Sequence, residues 1–97
     1  MRKLVVSSEV TKILSYNKER ISALIFNIGD YDLYVSENPT EIAENGFPIR
    51  AGMCLQIREK DGDDATKELY GICPSGSVEL RIWEVYRKEE KKEEVSS

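Results

Sequence analysis

The chain predicts an all-β domain: a compact antiparallel β-sandwich or jelly-roll-like barrel with short loops. Three observations carry this. The apolar runs are short, Gly, Pro, Asn and Asp turns punctuate them, and no segment keeps a 3.6-residue apolar period for long. At 97 residues there is room for one domain. We place it at 1–86, followed by a charged, flexible tail at 87–97.

Leu4–Val6 and Val10–Leu14 read as short strands separated by the polar Ser7-Ser8-Glu9. After a turn around Tyr16-Asn17-Lys18-Glu19, Ile21–Phe26 is apolar at almost every position. A strand with one wet face should alternate, so this one is either central in a sandwich or covered by another subunit. Asn27-Ile28-Gly29-Asp30 supplies turn residues, and Tyr31–Ser36 returns with Leu33 and Val35 on one face and Tyr34 on the other. The two runs read as an antiparallel hairpin.

Glu37–Gly46 is a polar connection, with space for one helical turn at Pro39–Glu44 and Pro39 near its start. Phe47-Pro48-Ile49 and Ala51-Gly52 lead into the clearest period-2 signal, where Met53, Leu55 and Ile57 alternate with Cys54, Gln56 and Arg58. Beyond the charged loop Lys60–Asp64, Leu69–Ile72 forms a strand. Pro74-Ser75-Gly76 then turns into Val78–Tyr86, where Val78, Leu80 and Ile82 share a face opposite Glu79, Arg81 and Trp83.

Composition narrows the function classes. The formal charge is −4, and no Lys/Arg cluster precedes the tail. Nucleic-acid binding, which rests on neutralising phosphates, is not expected. No apolar run reaches the roughly 20 residues that span a bilayer, and the N-terminus lacks the apolar core of a secretion signal. Membrane insertion and secretion are therefore not expected. With no histidine, the usual neutral-pH base is missing, and no catalytic, cofactor or metal residues are assigned. Asp61, Asp63 and Asp64 suggest a calcium loop, but position twelve from Asp61 is Ile72 instead of a bidentate glutamate. Glu37, Glu41 and Glu44 have no apolar pocket implied around them to separate their pKa values. Cys54 and Cys73 fit neither a CxxC pair nor a zinc knuckle. Buried free thiols are the simplest reading, with a disulfide as the alternative.

What remains is contact with other proteins. Ile21, Leu24, Phe26, Tyr34 and Trp83 are the candidate interface, since rigid aromatic rings anchor such surfaces. The small core and the doubly apolar strand both favour a homo-oligomer. The alternative is a carbohydrate-binding module using Tyr34, Tyr70 and Trp83 as a stacking platform. Residues 87–97 hold four basic and four acidic groups and are expected to add little to stability.

The order of segments adds a resemblance. Arg20-Ile21-Ser22-Ala23-Leu24-Ile25-Phe26-Asn27 precedes Gly29 and Asp32–Ser36. Asn45-Gly46-Phe47-Pro48-Ile49, Ala51-Gly52, Leu69–Ile72 and Ser75–Ile82 follow. Over residues 10–86 this set resembles small bacteriophage virion structural proteins, β-sandwich components of heads, necks or tail appendages. The resemblance implies a decoration, joining or attachment module in a phage or prophage virion, made in the host cytoplasm and touching other virion proteins. It also implies that Arg20 and Asn27, beside Gly29, brace the first hairpin, and that Gly46 and Gly52 shape the return loop. Ser36 stands where glycine is more usual in that group, and Ala51 where proline is common.

Overall fold

The computed structural model describes residues 1–87. Eight strands form among the described residues: β1 (Arg2–Val6), β2 (Thr11–Leu14), β3 (Arg20–Asn27), β4 (Leu33–Ser36), β5 (Phe47–Ile49), β6 (Cys54–Arg58), β7 (Leu69–Ile72) and β8 (Val78–Tyr86). They make two antiparallel sheets, ordered β1-β8-β3-β6 and β2-β7-β4-β5. Only the β4–β5 connection joins neighbours within a sheet, and every other connection crosses to the opposite sheet. This is the doubly wound connectivity of an eight-stranded jelly roll.

The core follows from the period-2 pattern. Val78, Leu80 and Ile82 of β8 and Ala23 and Ile25 of β3 point inward from the first sheet. Ile13, Leu33, Val35, Ile49 and Leu69 meet them from the second. Gly71 also faces this core. A Cβ built there would lie 2.5 Å from Ile13 Cδ1, so the space that a side chain would take is already filled.

Three local expectations are corrected. The runs at 21–26 and 31–36 are not a hairpin, because β3 pairs with β6 and β8 while β4 pairs with β5 and β7. Asn27–Asp32 is an arch between the sheets. Turn residues signal that the chain reverses, but not whether it returns beside itself or across a core. The helical turn, α1, spans Ile42–Asn45, three residues later than expected at its start. Asn38 Oδ1 accepts the Thr40 N–H, which commits Pro39 to an Asx turn instead of a helix start. Cys54 is exposed and only Cys73 is buried, and both are free thiols.

Of the tail, only Arg87 is among the described residues. Its N–H donates to the Glu19 carbonyl, and its guanidinium lies 3.2 Å from Glu59 Oε2. The expectation for 88–97 lies outside the described residues.

Candidate protein-contact surface

The buried polar residues of the sandwich are occupied internally. The Arg20 side chain is 1% exposed. Its Nε donates to the Ala65 carbonyl at 2.8 Å, and Nη2 donates to the carbonyls of Ser15 and Lys67 at 2.8 and 3.0 Å. Nη1 pairs with Glu84 Oε2 at 3.1 Å. One guanidinium thus ties β3, β8 and the loops after β2 and before β7. Asn27, with no exposed surface, donates from Nδ2 to the carbonyls of Tyr31 and Ile49, both at 2.9 Å, and accepts the Gly29 N–H. These contacts fix the arch.

The glycines near these loops differ in what they touch. A Cβ on Gly29 would sit 2.6 Å from Val78 Cγ1, and one on Gly46 would sit 2.6 Å from the Ile42 carbonyl. Gly52 instead takes φ +80, the left-handed region, with open space around it.

The outer face of the first sheet is different. Leu24 pairs with Trp83 on one side and Gln56 on the other, while Phe26 lies between Arg81 and Cys54. Val85 pairs with Ser22 on the same face. Trp83 is 58% exposed, Val85 40% and Phe26 39%. Arg81 ion-pairs with Glu79 at 3.0 Å along the same strand, so charge borders the apolar strip. Antiparallel register brings Leu24, Phe26 and Trp83 together, and the central position of β3 explains its two apolar faces. Ala23 and Ile25 enter the core, while Leu24 and Phe26 stand outside.

Ile21 is half-buried where the β3–β8 register shifts, at the edge of this strip. Tyr34 is not part of it. It belongs to the second sheet, where α1 contacts β4 and β7. Ile42 of α1 is 2% exposed, and Gly46 fits against Tyr34 Cβ. The chain therefore covers part of the second sheet's outer face itself, and the described residues leave the first sheet's bare. Tyr70 is also on the second sheet. Its hydroxyl donates to Glu68 at 2.9 Å, and Lys12 lies 5.8 Å from its ring centroid. The hydrogen bond from Tyr70, followed by Lys12, lowers the Glu68 pKa, and Glu68 raises that of Tyr70. Tyr34 and Tyr70 thus face away from Trp83, so the three cannot form one stacking platform.

The carboxylates of the acidic loop are occupied by nearby backbone and side-chain donors. Asp61 accepts from Arg58 Nε at 2.6 Å, and Asp63 Oδ2 accepts the Arg58 N–H at 2.9 Å. Asp64 Oδ1 accepts both the Thr66 hydroxyl and its N–H, and the hydroxyl is the main reason its pKa is lowered. A depressed carboxylate pKa stabilises the fold above the ordinary value of 3.8, and that contribution is lost as pH falls through the folded value. Thr66→Ala is expected to move the Asp64 titration back up, read by NMR. Among the described residues no group of three or more His, Cys, Asp or Glu is placed to hold a metal ion.

A cleft of about 310 Å³ opens where β6 and β5 fail to close the sandwich. Val35, Phe47, Leu55, Ile57 and Leu69 form its apolar floor, with Glu37, Asp63 and Asp64 at its rim. Sequence reasoning singled out neither Val85 nor this cleft. Val85 was legible as the next outward position after Trp83. The cleft was not, because it depends on how far two edge strands diverge. No helix among the described residues is long and apolar enough to cross a membrane. No family model matches the chain, and no curated protein or solved structure is detectably similar to it.

Proposed function

We propose that the protein is a non-enzymatic virion structural component, a small decoration, joining or attachment module that acts through protein–protein contacts. One observation carries this reading: Leu24, Phe26, Trp83 and Val85 form an apolar strip on the first sheet, left uncovered by the described residues and bordered by charge. Exposed apolar patches with polar rims mark interaction sites, and tryptophan is enriched among their energetic anchors. The jelly roll recurs in viral capsid domains and also in lectins, so the fold is compatible with this role without assigning it. The phage context comes from the ordered segments across 10–86.

Trp83→Ala tests the reading. The ring is more than half exposed, so the unfolding free energy is expected to change by less than about 1 kcal/mol. Loss of an anchor should weaken partner binding by about 2 kcal/mol or more, roughly thirtyfold. Incorporation into particles, measured by quantitative mass spectrometry of purified virions, should fall accordingly. Normal incorporation of a folded Trp83→Ala chain, or absence of the wild-type chain from particles, would sink the proposal.

A further inference from the structure

We infer that two copies of this chain pair antiparallel along β6, about a two-fold axis at Leu55, and join their first sheets into one. This surface is the sheet edge, distinct from the outer-face strip around Trp83. The inference stands whatever partner that strip takes.

Among the described residues the β6 strand pairs only with β3, which leaves its other side as an edge. The Asn27 N–H donates to the Met53 carbonyl, which fixes the phase of the ladder. Phe26 and Cys54 are then a non-hydrogen-bonded pair, and Leu55 and Ile57 direct their backbone groups at β3. Cys54, Gln56 and Arg58 direct theirs outward. Arg58 is already occupied: its N–H donates to Asp63 Oδ2 at 2.9 Å, and its carbonyl accepts the Asp63 N–H at 3.3 Å. Among the described residues this leaves the outward N–H and C=O groups of Cys54 and Gln56 without a protein partner.

Two free residues with one between them are self-complementary in only one way that uses every group. With Leu55 opposite its own copy, Cys54 faces Gln56 of the second chain. Both residues then exchange N–H···O=C bonds, four in all by the antiparallel rule. The Asp63 cap ends the ladder, which makes the contact closed instead of a growing fibre. Opposite the capped Arg58 falls Gly52, which presents no side chain and has open space around it.

Side chains and charge agree with this register. Met53 falls opposite Ile57 of the second copy, at the mouth of the apolar cleft. Met53 and Phe47 are each 59% exposed in the single chain, and Ile57 is half-buried. Residues 58–64 hold two basic and four acidic groups, and they would lie beside 50–53 of the other copy, whose one charge is Arg50. The Arg50 side chain is 72% exposed, and its in-chain partner is Asp32. A parallel arrangement would instead set acidic loop against acidic loop.

Analytical ultracentrifugation of the full chain across a micromolar concentration series is the test. The wild type should approach twice the 11.1 kDa chain mass. Gln56→Pro removes an outward N–H at an edge position, where proline is compatible with a sheet. It should raise the dimer Kd at least about tenfold while unfolding stays cooperative. Trp83→Ala should leave the dimer intact, which separates this contact from the outer-face strip. A wild type that stays monomeric throughout, or a dimer that folded Gln56→Pro does not weaken, overturns the inference.

A second variant covers the case in which Gln56→Pro fails to fold. In Cys54→Ser/Leu55→Cys, the two new thiols meet at the axis as a non-hydrogen-bonded pair, with Cα atoms about 4.5 Å apart, within disulfide reach. Mild oxidation should give a covalent dimer. Failure to crosslink overturns the register.

Discussion

Arg20→Met should lower the unfolding free energy by about 3–5 kcal/mol, because it removes the buried cation of an ion pair and leaves three carbonyls without their donor. Three carbonyls, of Ala65, Ser15 and Lys67, lose their donor, and Glu84 loses its buried cation while keeping its ion pair with Arg2 at 3.4 Å. Methionine replaces the aliphatic stem but not the buried guanidinium, so the unfilled space adds to the loss. A domain of this size has about 5–15 kcal/mol of total stability, so the loss is a large fraction of it. Urea denaturation should show a lower midpoint with an unchanged slope. Thermal unfolding should fall by at least roughly 12 °C, taking about 4 °C per kcal/mol. Arg20→Lys should recover only part of this, since one ammonium cannot reproduce the guanidinium fork that serves three carbonyls and a carboxylate. A loss below about 1 kcal/mol would mean that water satisfies the stranded acceptors, and that Arg20 does not hold this end of the sandwich together.

That role was hard to read from the residues alone. A lone arginine before an apolar run ordinarily reads as a surface group at a strand start. Its burial depends on three carbonyls from loops distant in sequence, which only the folded topology assembles. The alternation of Val78, Leu80 and Ile82 with Glu79, Arg81 and Trp83 was different, because a period of two is a property of the strand itself. It fixed which side chains enter the core before any pairing was known. Pairing was the part that local pattern could not supply. Leu24 and Trp83 share a face because β3 lies beside β8 in a particular register, and Tyr34 leaves them because β4 belongs to the other sheet. Cys54 read as a buried thiol, yet it stands on the outer face with Gln56, next to Phe26. The same gap concealed the β6 edge, since an edge is defined by the partner a strand lacks.

Asn27 offers the second large effect, at the arch that a local reading mistakes for a hairpin. Asn27→Ala should cost about 2–4 kcal/mol, because two carbonyls and one N–H lose their side-chain partner in a fully buried place. Asn27→Asp separates the contacts. The carboxyl keeps an acceptor for the Gly29 N–H but has lost both protons given to Tyr31 and Ile49. Ionised, it would face two carbonyl oxygens without exposure to water, so burial and those dipoles should raise its folded pKa above the unfolded value. The native state then binds a proton more readily than the unfolded chain, so stability contributed by that proton is present in acid and lost as pH rises through the folded pKa. Asn27→Asp should therefore be no more stable than Asn27→Ala at neutral pH, and should recover relative to wild type in mildly acidic buffer, where the acid can donate one O–H. Urea midpoints of the three proteins at both conditions read this directly. If the Asp variant tracks wild type at neutral pH, the two carbonyls do not depend on the amide. The arch would then be held instead by its backbone bond to Met53 and the packing of Gly29 on Val78.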